Sequence, residues 1–210
     1  KAAALTHAGI LGNARATLGA VKLSKQDHLC IATPFHFTSA ICHFLSSILS
    51  CAQFTCTLKK LFYADLYNYV CTSKANTFGG SPVQFNWLSQ CLTGNEKINW
   101  MMSSGDHLST KIIELLHEKL ANLKLFVVYG LTELSGRFCI LKPVDLVKNI
   151  GSVGKPIEGL TISIVDDNDN TLPANTIGRV IAGGDYIFTG YKNDQQKTDN
   201  AKTNIGFITG

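Results

Sequence analysis

Over residues 6–21 the apolar positions Ile10, Leu11, Ala14, Leu18 and Val21 recur at helical spacing, and Thr6 stands where it can cap the first turn. A short apolar run follows at 29–32, of strand length. The same alternation then repeats. A helix is predicted over 39–50, a strand over 54–58, a helix over 61–71 and a strand over 76–78. Ser81-Pro82 opens a further helix, because proline at the first helical position loses no needed donor. Residues 99–102 read as a strand and 109–121 as an amphipathic helix, with Ile112, Ile113, Leu116 and Leu120 on one side. The run 125–128 is β-branched and aromatic and is expected to stop at Tyr129-Gly130.

Strands alternating with helices of this length pair in parallel through crossover helices. The predicted fold class is therefore α/β, with layered parallel sheets over residues 1–141. From 142 to 210 the chain turns to Gly, Asn, Asp and Pro, with strand runs at 160–165 and 179–182, which predicts a β-rich subdomain. The acidic run Asp166-Asp167-Asn168-Asp169-Asn170 between them reads as a hairpin turn, since it lacks the Gly and distal Glu of a calcium loop.

Bulk composition narrows the classes. With 45% hydrophobic and 16% charged residues in 210, the chain has material for a sizeable core and is not disordered. The +4 net charge is dispersed, with no basic run interleaved with aromatics, so nucleic-acid binding has no footprint. Residues 38–58 are apolar but interrupted by His43, Ser46, Ser47, Ser50 and Gln53, which predicts a buried helix and a strand and not a membrane span. Seven cysteines, an odd number with no CxxC pair, point to reduced thiols in a cytoplasmic protein. The chain opens at Lys1 and stops in mid-pattern at Gly210, which reads as a piece of something larger.

Three segments carry candidate chemistry. In VVYGLTE (127–133) a strand delivers a ring, a glycine, a hydroxyl and a carboxylate together. At a nucleotide site Tyr129 can stack on a base, Gly130 allows close approach of the backbone, Thr132 can donate to a phosphate and Glu133 can hold Mg²⁺. A strand-ending turn with a solvated Glu is the alternative. SSGDHLS (103–109) offers small residues against which a planar ring can lie, or an ordinary strand-to-helix turn. In TPFHFTSA (33–40), His36 is either functional or a core histidine satisfied by a backbone carbonyl.

Taken together, and in this order, the segments resemble the adenylate-forming (AMP-binding) superfamily of acyl-CoA synthetases, luciferases and peptide-synthetase adenylation domains. KAAALTH at residues 1–7 is similar to the end of the family's phosphate loop, with Ala2 where Gly is usual, and TPFHFTSA is similar to PFHxxxG, with Ala40 for Gly. SSGDHLS resembles SGGxxLS, and VVYGLTE fits YGxTE at every defined position. GSVGKPIEGLTISIVDDNDNTLPANTIGRV, GGDYIFTGYKNDQQKT and the terminal GFITG resemble the family's later segments, in which Arg179 replaces a usual Glu and Gly183-Gly184-Asp185 a usual Arg-Gly-Pro.

The resemblance implies an AMP-forming acid–thiol ligase that uses ATP and Mg²⁺ to convert a carboxylic acid to an acyl-adenylate with release of pyrophosphate. Transfer to coenzyme A follows, or to carrier-protein pantetheine in the related adenylation domains and acyl-AMP ligases. A non-catalytic relative is the reading from a different class. Carried over by position, Thr132 is expected to bind the α-phosphate, Glu133 the Mg²⁺, and Lys1 the distal phosphates. Ser104, Gly105, Asp106, Tyr129, Gly130 and Leu131 are expected to frame the nucleotide. His36 is expected between acyl pocket and thiol channel, with Phe35, Phe37, Cys42 and Phe78 as acyl-pocket candidates. That lining predicts an apolar pocket, and a medium or long aliphatic acid ranks first. Tested alone, these residues are expected to make no adenylate, because the ribose-gripping Asp and the catalytic Lys of the family's C-terminal domain are not among them.

Overall fold

The computed structural model describes residues 2–203 and 205–209. Lys1, and with it the expected phosphate contact, lies outside them. The chain begins with β1 (Ala3–Ala4) and α1 (His7–Val21), then alternates through β2 (His28–Ile31), α2 (Thr38–Ser50), β3 (Gln53–Cys56), α3 (Tyr63–Thr72), β4 (Thr77–Gly80), α4 (Pro82–Cys91), β5 (Trp100–Ser104), α5 (Thr110–Lys119) and β6 (Lys124–Leu131). A single 3-10 turn, Thr132–Leu134, leads into β7 (Gly136–Leu141), α6 (Pro143–Leu146) and β8 (Lys155–Pro156). The remainder comprises β9 (Leu160–Val165), β10 (Arg179–Gly184), β11 (Gly190–Tyr191), α7 (Gln195–Ala201), β12 (Lys202–Thr203) and β13 (Gly206–Ile208).

Local chemistry sets the helix ends. Thr6 Oγ1 accepts the Gly9 N–H at 2.9 Å at the start of α1. Its end is a left-handed Lys22 whose N–H returns to the Leu18 carbonyl. At α4, Pro82 sits in the first turn and the Gln84 side chain accepts the Ser81 N–H at 2.9 Å, half of a reciprocal capping box.

Seven strands form the main sheet, in the order β3-β2-β4-β5-β6-β7-β8. The pairs from β3 to β6 are parallel, and β7 and β8 add antiparallel. Alternation along each strand sorts side chains between two cores. Leu29, Ile31, Met102, Phe126 and Val128 face α1 and α2, whereas Cys30, Phe78, Met101 and Leu125 face α3, α4 and α5. Each fully buried large side chain such as Phe78 or Leu88 contributes about 1.5–3 kcal/mol.

β12-β13-β10-β9 form a separate antiparallel sheet, and β1 pairs with β11. Leu160, Ala182 and Phe207 of the later strands, with Phe188 from the segment before β11, join the same core as α1 and α2. The acidic run is a turn: the Asp166 carboxylate accepts from the Asn168 and Asn170 N–H groups at 2.8 and 2.9 Å. Arg179, the departure from the family pattern, donates to Asp169 at 2.9 Å and to the Asp166 carbonyl at 2.8 Å across that turn.

Three expectations change. β6 does not stop at Tyr129-Gly130; it continues through a register shift between them to Leu131, because β7 folds back to pair with it. β7 itself was not anticipated. The third concerns α2, which is not buried all round: Ala40, Cys42, His43, Ser46 and Ser47 face inward while Phe44, Ile48 and Leu49 are exposed. Small residues line the inner side because the helix crosses close over β7. Among the described residues, no helix is long and apolar enough to cross a membrane. All seven cysteines are free thiols.

Candidate active site

The loops after β2, β5 and β6 gather at one end of the sheet, the position where ligands collect in open α/β folds. They enclose two adjoining cavities, of about 140 and 370 Å³, which share Phe37, Ser39, Ser104 and Gly105 as lining. Gly130, Leu131, Thr132 and Arg137 line the smaller one. Asp106, Ser81 and Gln84 line the larger. A hollow of about 740 Å³ lies at the far end of β7, and none of the residues singled out in the sequence lines it.

Thr132 is exposed at the mouth of the smaller cavity, where Thr38 Oγ1 donates to its Oγ1 at 3.0 Å. Glu133 turns the other way. It lines a third cavity, of about 480 Å³, together with Tyr191, Lys197, Asn200 and Thr209. There Tyr191 donates to Glu133 Oε1 at 2.6 Å, and burial together with this bond pushes the Tyr191 phenol up to about 12. The two polar residues of the motif thus serve adjacent but separate spaces.

What holds this turn is a network the sequence did not announce. Asn13, fully buried on α1, donates to the Leu134 and Arg137 carbonyls at 3.0 and 2.6 Å and accepts the Arg137 N–H at 3.1 Å. Ser135 adopts a left-handed φ of 60° and donates its hydroxyl to the Tyr186 carbonyl at 2.8 Å. Packing alone requires Gly130 to be glycine: a Cβ there would strike the Gly136 carbonyl of the neighbouring strand.

Of the other nominated residues, the structure brings Ser104, Gly105, Asp106, Leu131 and Phe37 to the cavities and leaves several away from them. Gly105 has φ 103° with open space where a Cβ would stand, so its surface is accessible to a flat group. Asp106 accepts the His107 N–H at 2.7 Å. Tyr129 packs its ring 5.8 Å from Phe138. His36 is exposed, not a core residue, with its ring 4.3 Å from that of Phe37. Phe35 makes edge contacts with Phe44 and Phe54 on the outer side of α2. Cys42 is buried behind the turn, its Sγ 3.5 Å from the Ser135 carbonyl. Phe78 lies on the opposite face of the sheet, against Phe85, and lines neither of the two cavities. The residue missed was Arg137, a single charge inside the apolar strand GRFCIL; that isolation was the available signal.

Mg²⁺ takes oxygen ligands and binds through one or two carboxylates plus substrate phosphates. Among the described residues there is no group of three or more His, Cys, Asp or Glu side chains able to hold a metal. Glu133 contributes a single carboxylate to an open cavity, a donor set that fits an ion held chiefly by phosphate oxygens.

The sequence model of the AMP-binding enzymes matches residues 1–192. The chain belongs to that family. It is 26% identical over 172 residues to 2-succinylbenzoate–CoA ligase of Oceanobacillus iheyensis, covering 80% of this chain and 35% of the relative. It is 25% identical over 204 residues to the acyl-CoA ligase sidI of Beauveria bassiana, covering 94% of this chain and 35% of the relative. In three dimensions it is similar to the unliganded o-succinylbenzoate coenzyme A synthetase of Bacillus subtilis, with a TM-score of 0.89 at 19% identity, over 99% of this chain and 43% of that one. That enzyme has also been solved with AMP and with ATP and magnesium. The chain therefore spans about a third of the length of these two sequence relatives.

Proposed function

We propose that these residues are the central part of an ATP-dependent, AMP-forming acid–thiol ligase. In this reading a carboxylic acid displaces pyrophosphate from ATP, forming an acyl-adenylate, and the acyl group passes to the thiol of coenzyme A. The observation that carries it is the turn Thr132-Glu133, presented at the carboxyl end of β6 and held from both sides by Thr38 and Tyr191. CoA-ligase relatives support the same class. Carrier-bound pantetheine is the alternative acceptor, and the unpaired thiols support a cytoplasmic setting.

The physical difficulty of the first step is that two anions must meet. Thr132 offers its hydroxyl to the α-phosphate, so that a fixed dipole stands where negative charge develops. Glu133 would hold Mg²⁺, whose Lewis acidity offsets phosphate charge. Ser104, Gly105 and Asp106 hold the adenine against the exposed Gly105 surface, which orients the phosphorus toward the acid. Lys1 would approach the distal phosphates and Tyr129 would border the base. His36 and Phe37 would stand at the channel by which the thiol arrives.

The test is carboxylate-dependent exchange of labelled pyrophosphate into ATP by the full-length protein, with a panel of acids. Exchange with one class of acid is expected. Absence of exchange with every acid, in a protein that binds ATP, would overturn the reading in favour of a silent relative.

A further inference from the structure

Among the described residues Arg137 has no carboxylate partner, and the group that interacts with its charge is the buried Cys42 thiol, which burial keeps neutral. Only 3% of the Arg137 surface is exposed. Nε donates to Met102 Sδ at 3.4 Å and Nη2 meets His43 Nδ1 at 3.1 Å, while Nη1 is buried with no hydrogen-bond partner. A guanidinium has donors and no acceptors, so His43 must accept at Nδ1 and carry its proton on Nε2. That Nε2 is itself buried without a partner. Burial, reinforced by the Arg137 charge, lowers the His43 pKa well below its ordinary range, so the imidazole is neutral. The pair therefore combines one positive charge with unused N–H donors on both residues. Neutral sulfur and imidazole partners do not compensate a buried charge, which costs several kcal/mol when it lacks a counter-ion.

The placement of this charge is specific. Arg137 lines the same 140 Å³ cavity as Thr132 and Thr38. In the strand register it stands opposite Gly130, which puts no side chain in its way, two residues before Thr132. The cavity adjoins the 370 Å³ one through Phe37, Ser39, Ser104 and Gly105, so the two together are the space an acid can occupy beside Arg137. A cavity built only for an aliphatic chain has no use for a guanidinium, which would make its lining costly and its ligand poorly matched.

Resting on the ligase reading above, we propose that Arg137, backed by His43, recognises a second acidic group on the acid that is activated, so that the preferred substrate is a dicarboxylic acid. The aliphatic acid expected from the sequence is displaced from first rank. Guanidinium and carboxylate match in planar, bidentate geometry, and removing the second carboxylate from the ligand returns Arg137 to its uncompensated state.

The experiment compares matched ligands in pyrophosphate exchange by the full-length protein: succinic and glutaric acids, their monomethyl esters, and straight-chain monoacids of equal length. Each diacid is expected to exceed its ester in kcat/KM by about 10- to 100-fold, the range for a hydrogen bond to a charged group. In Arg137→Met that ratio is expected to fall to about 1, chiefly through the KM of the diacid. Equal use of diacid and ester by the wild-type protein would overturn the proposal and leave the ligase reading standing, whether or not the variant folds. So would a variant that retains the wild-type ratio, or one that loses diacid and monoacid equally. Failure with every acid would overturn both.

Discussion

The Tyr191 hydroxyl donates a 2.6 Å hydrogen bond to Glu133 Oε1, joining positions 58 apart in the chain. The Phe188 N–H adds a second tie, to the Glu133 carbonyl at 2.7 Å. The turn that presents Thr132 and Glu133 is thus completed by the segment around β11. Tyr191→Phe should leave Glu133 in a less defined rotamer and lower kcat/KM for pyrophosphate exchange by about tenfold, the worth of one charge-assisted bond. Unchanged exchange kinetics in the full-length variant would refute this role.

The same residue makes stability alkali-dependent. Burial first, then the bond to Glu133, raise the Tyr191 phenol from 10.0 to about 12. A raised folded-state pKa stabilises the protein fully below the unfolded value and is lost as pH rises through the folded one. Wild type should therefore lose stability relative to Tyr191→Phe between about pH 10 and about pH 12, read as the difference in urea midpoints.

Asn13 satisfies three backbone groups of the Leu134–Arg137 turn with one side chain. Asn13→Ala leaves those buried groups unpaired and should destabilise the protein by about 2–4 kcal/mol. Denaturant unfolding of the full-length variant checks the number, and a loss under 1 kcal/mol, well below that estimate, would mean that water replaces the amide.

Two glycines separate conformational from steric strain. Both Gly105 and Gly136 have positive φ, 103° and 133°, but a Cβ meets nothing at Gly105 and collides with Cys42 Sγ at Gly136. Gly105→Ala should cost about 1 kcal/mol and Gly136→Ala clearly more, about 3 kcal/mol. Equal melting temperatures for the two variants would contradict the steric part of the argument.

Glu96 provides the acid-side counterpart. Its carboxylate accepts from Thr93 N–H at 3.0 Å, Thr93 Oγ1 at 2.9 Å, Gly94 N–H at 3.0 Å and the Tyr67 hydroxyl at 2.8 Å. Desolvation opposes ionisation, yet these donors together hold the carboxyl at about 2 against an ordinary 4.5. A depressed pKa stabilises above the unfolded value and is lost as pH falls through the folded one. Glu96→Gln should remove that part of the acid sensitivity between about pH 4.5 and about pH 2, measured by acid titration of circular dichroism.

Helix periodicity and capping residues located α1, α2, α5 and the start of α4 to within a residue or two, because Thr6, Pro82 and the apolar stripes act locally. β7 escaped detection for a non-local reason. Its run GRFCIL becomes a strand by folding back on β6 after the left-handed Ser135, and the length of β6 depends on that pairing. The two-residue strands β1, β8, β11 and β12 exist only through their partners. In the site, the structure brings Thr132 of YGLTE and Ser104 and Gly105 of SSGDHLS to one cavity. Which face Phe78 takes was not legible, because alternation gives two faces without saying which one adjoins the cleft.

The chain's own pattern therefore settles the α/β alternation, the caps and the order of the motifs, all of which depend on neighbours a few positions apart. Tertiary structure alone decides that His43 and Arg137, 94 positions apart, meet at 3.1 Å and leave a buried charge beside Thr132. Periodicity reports which residues share a face. It carries no record of which distant face lies opposite, and a buried charge takes its meaning from whatever stands across from it.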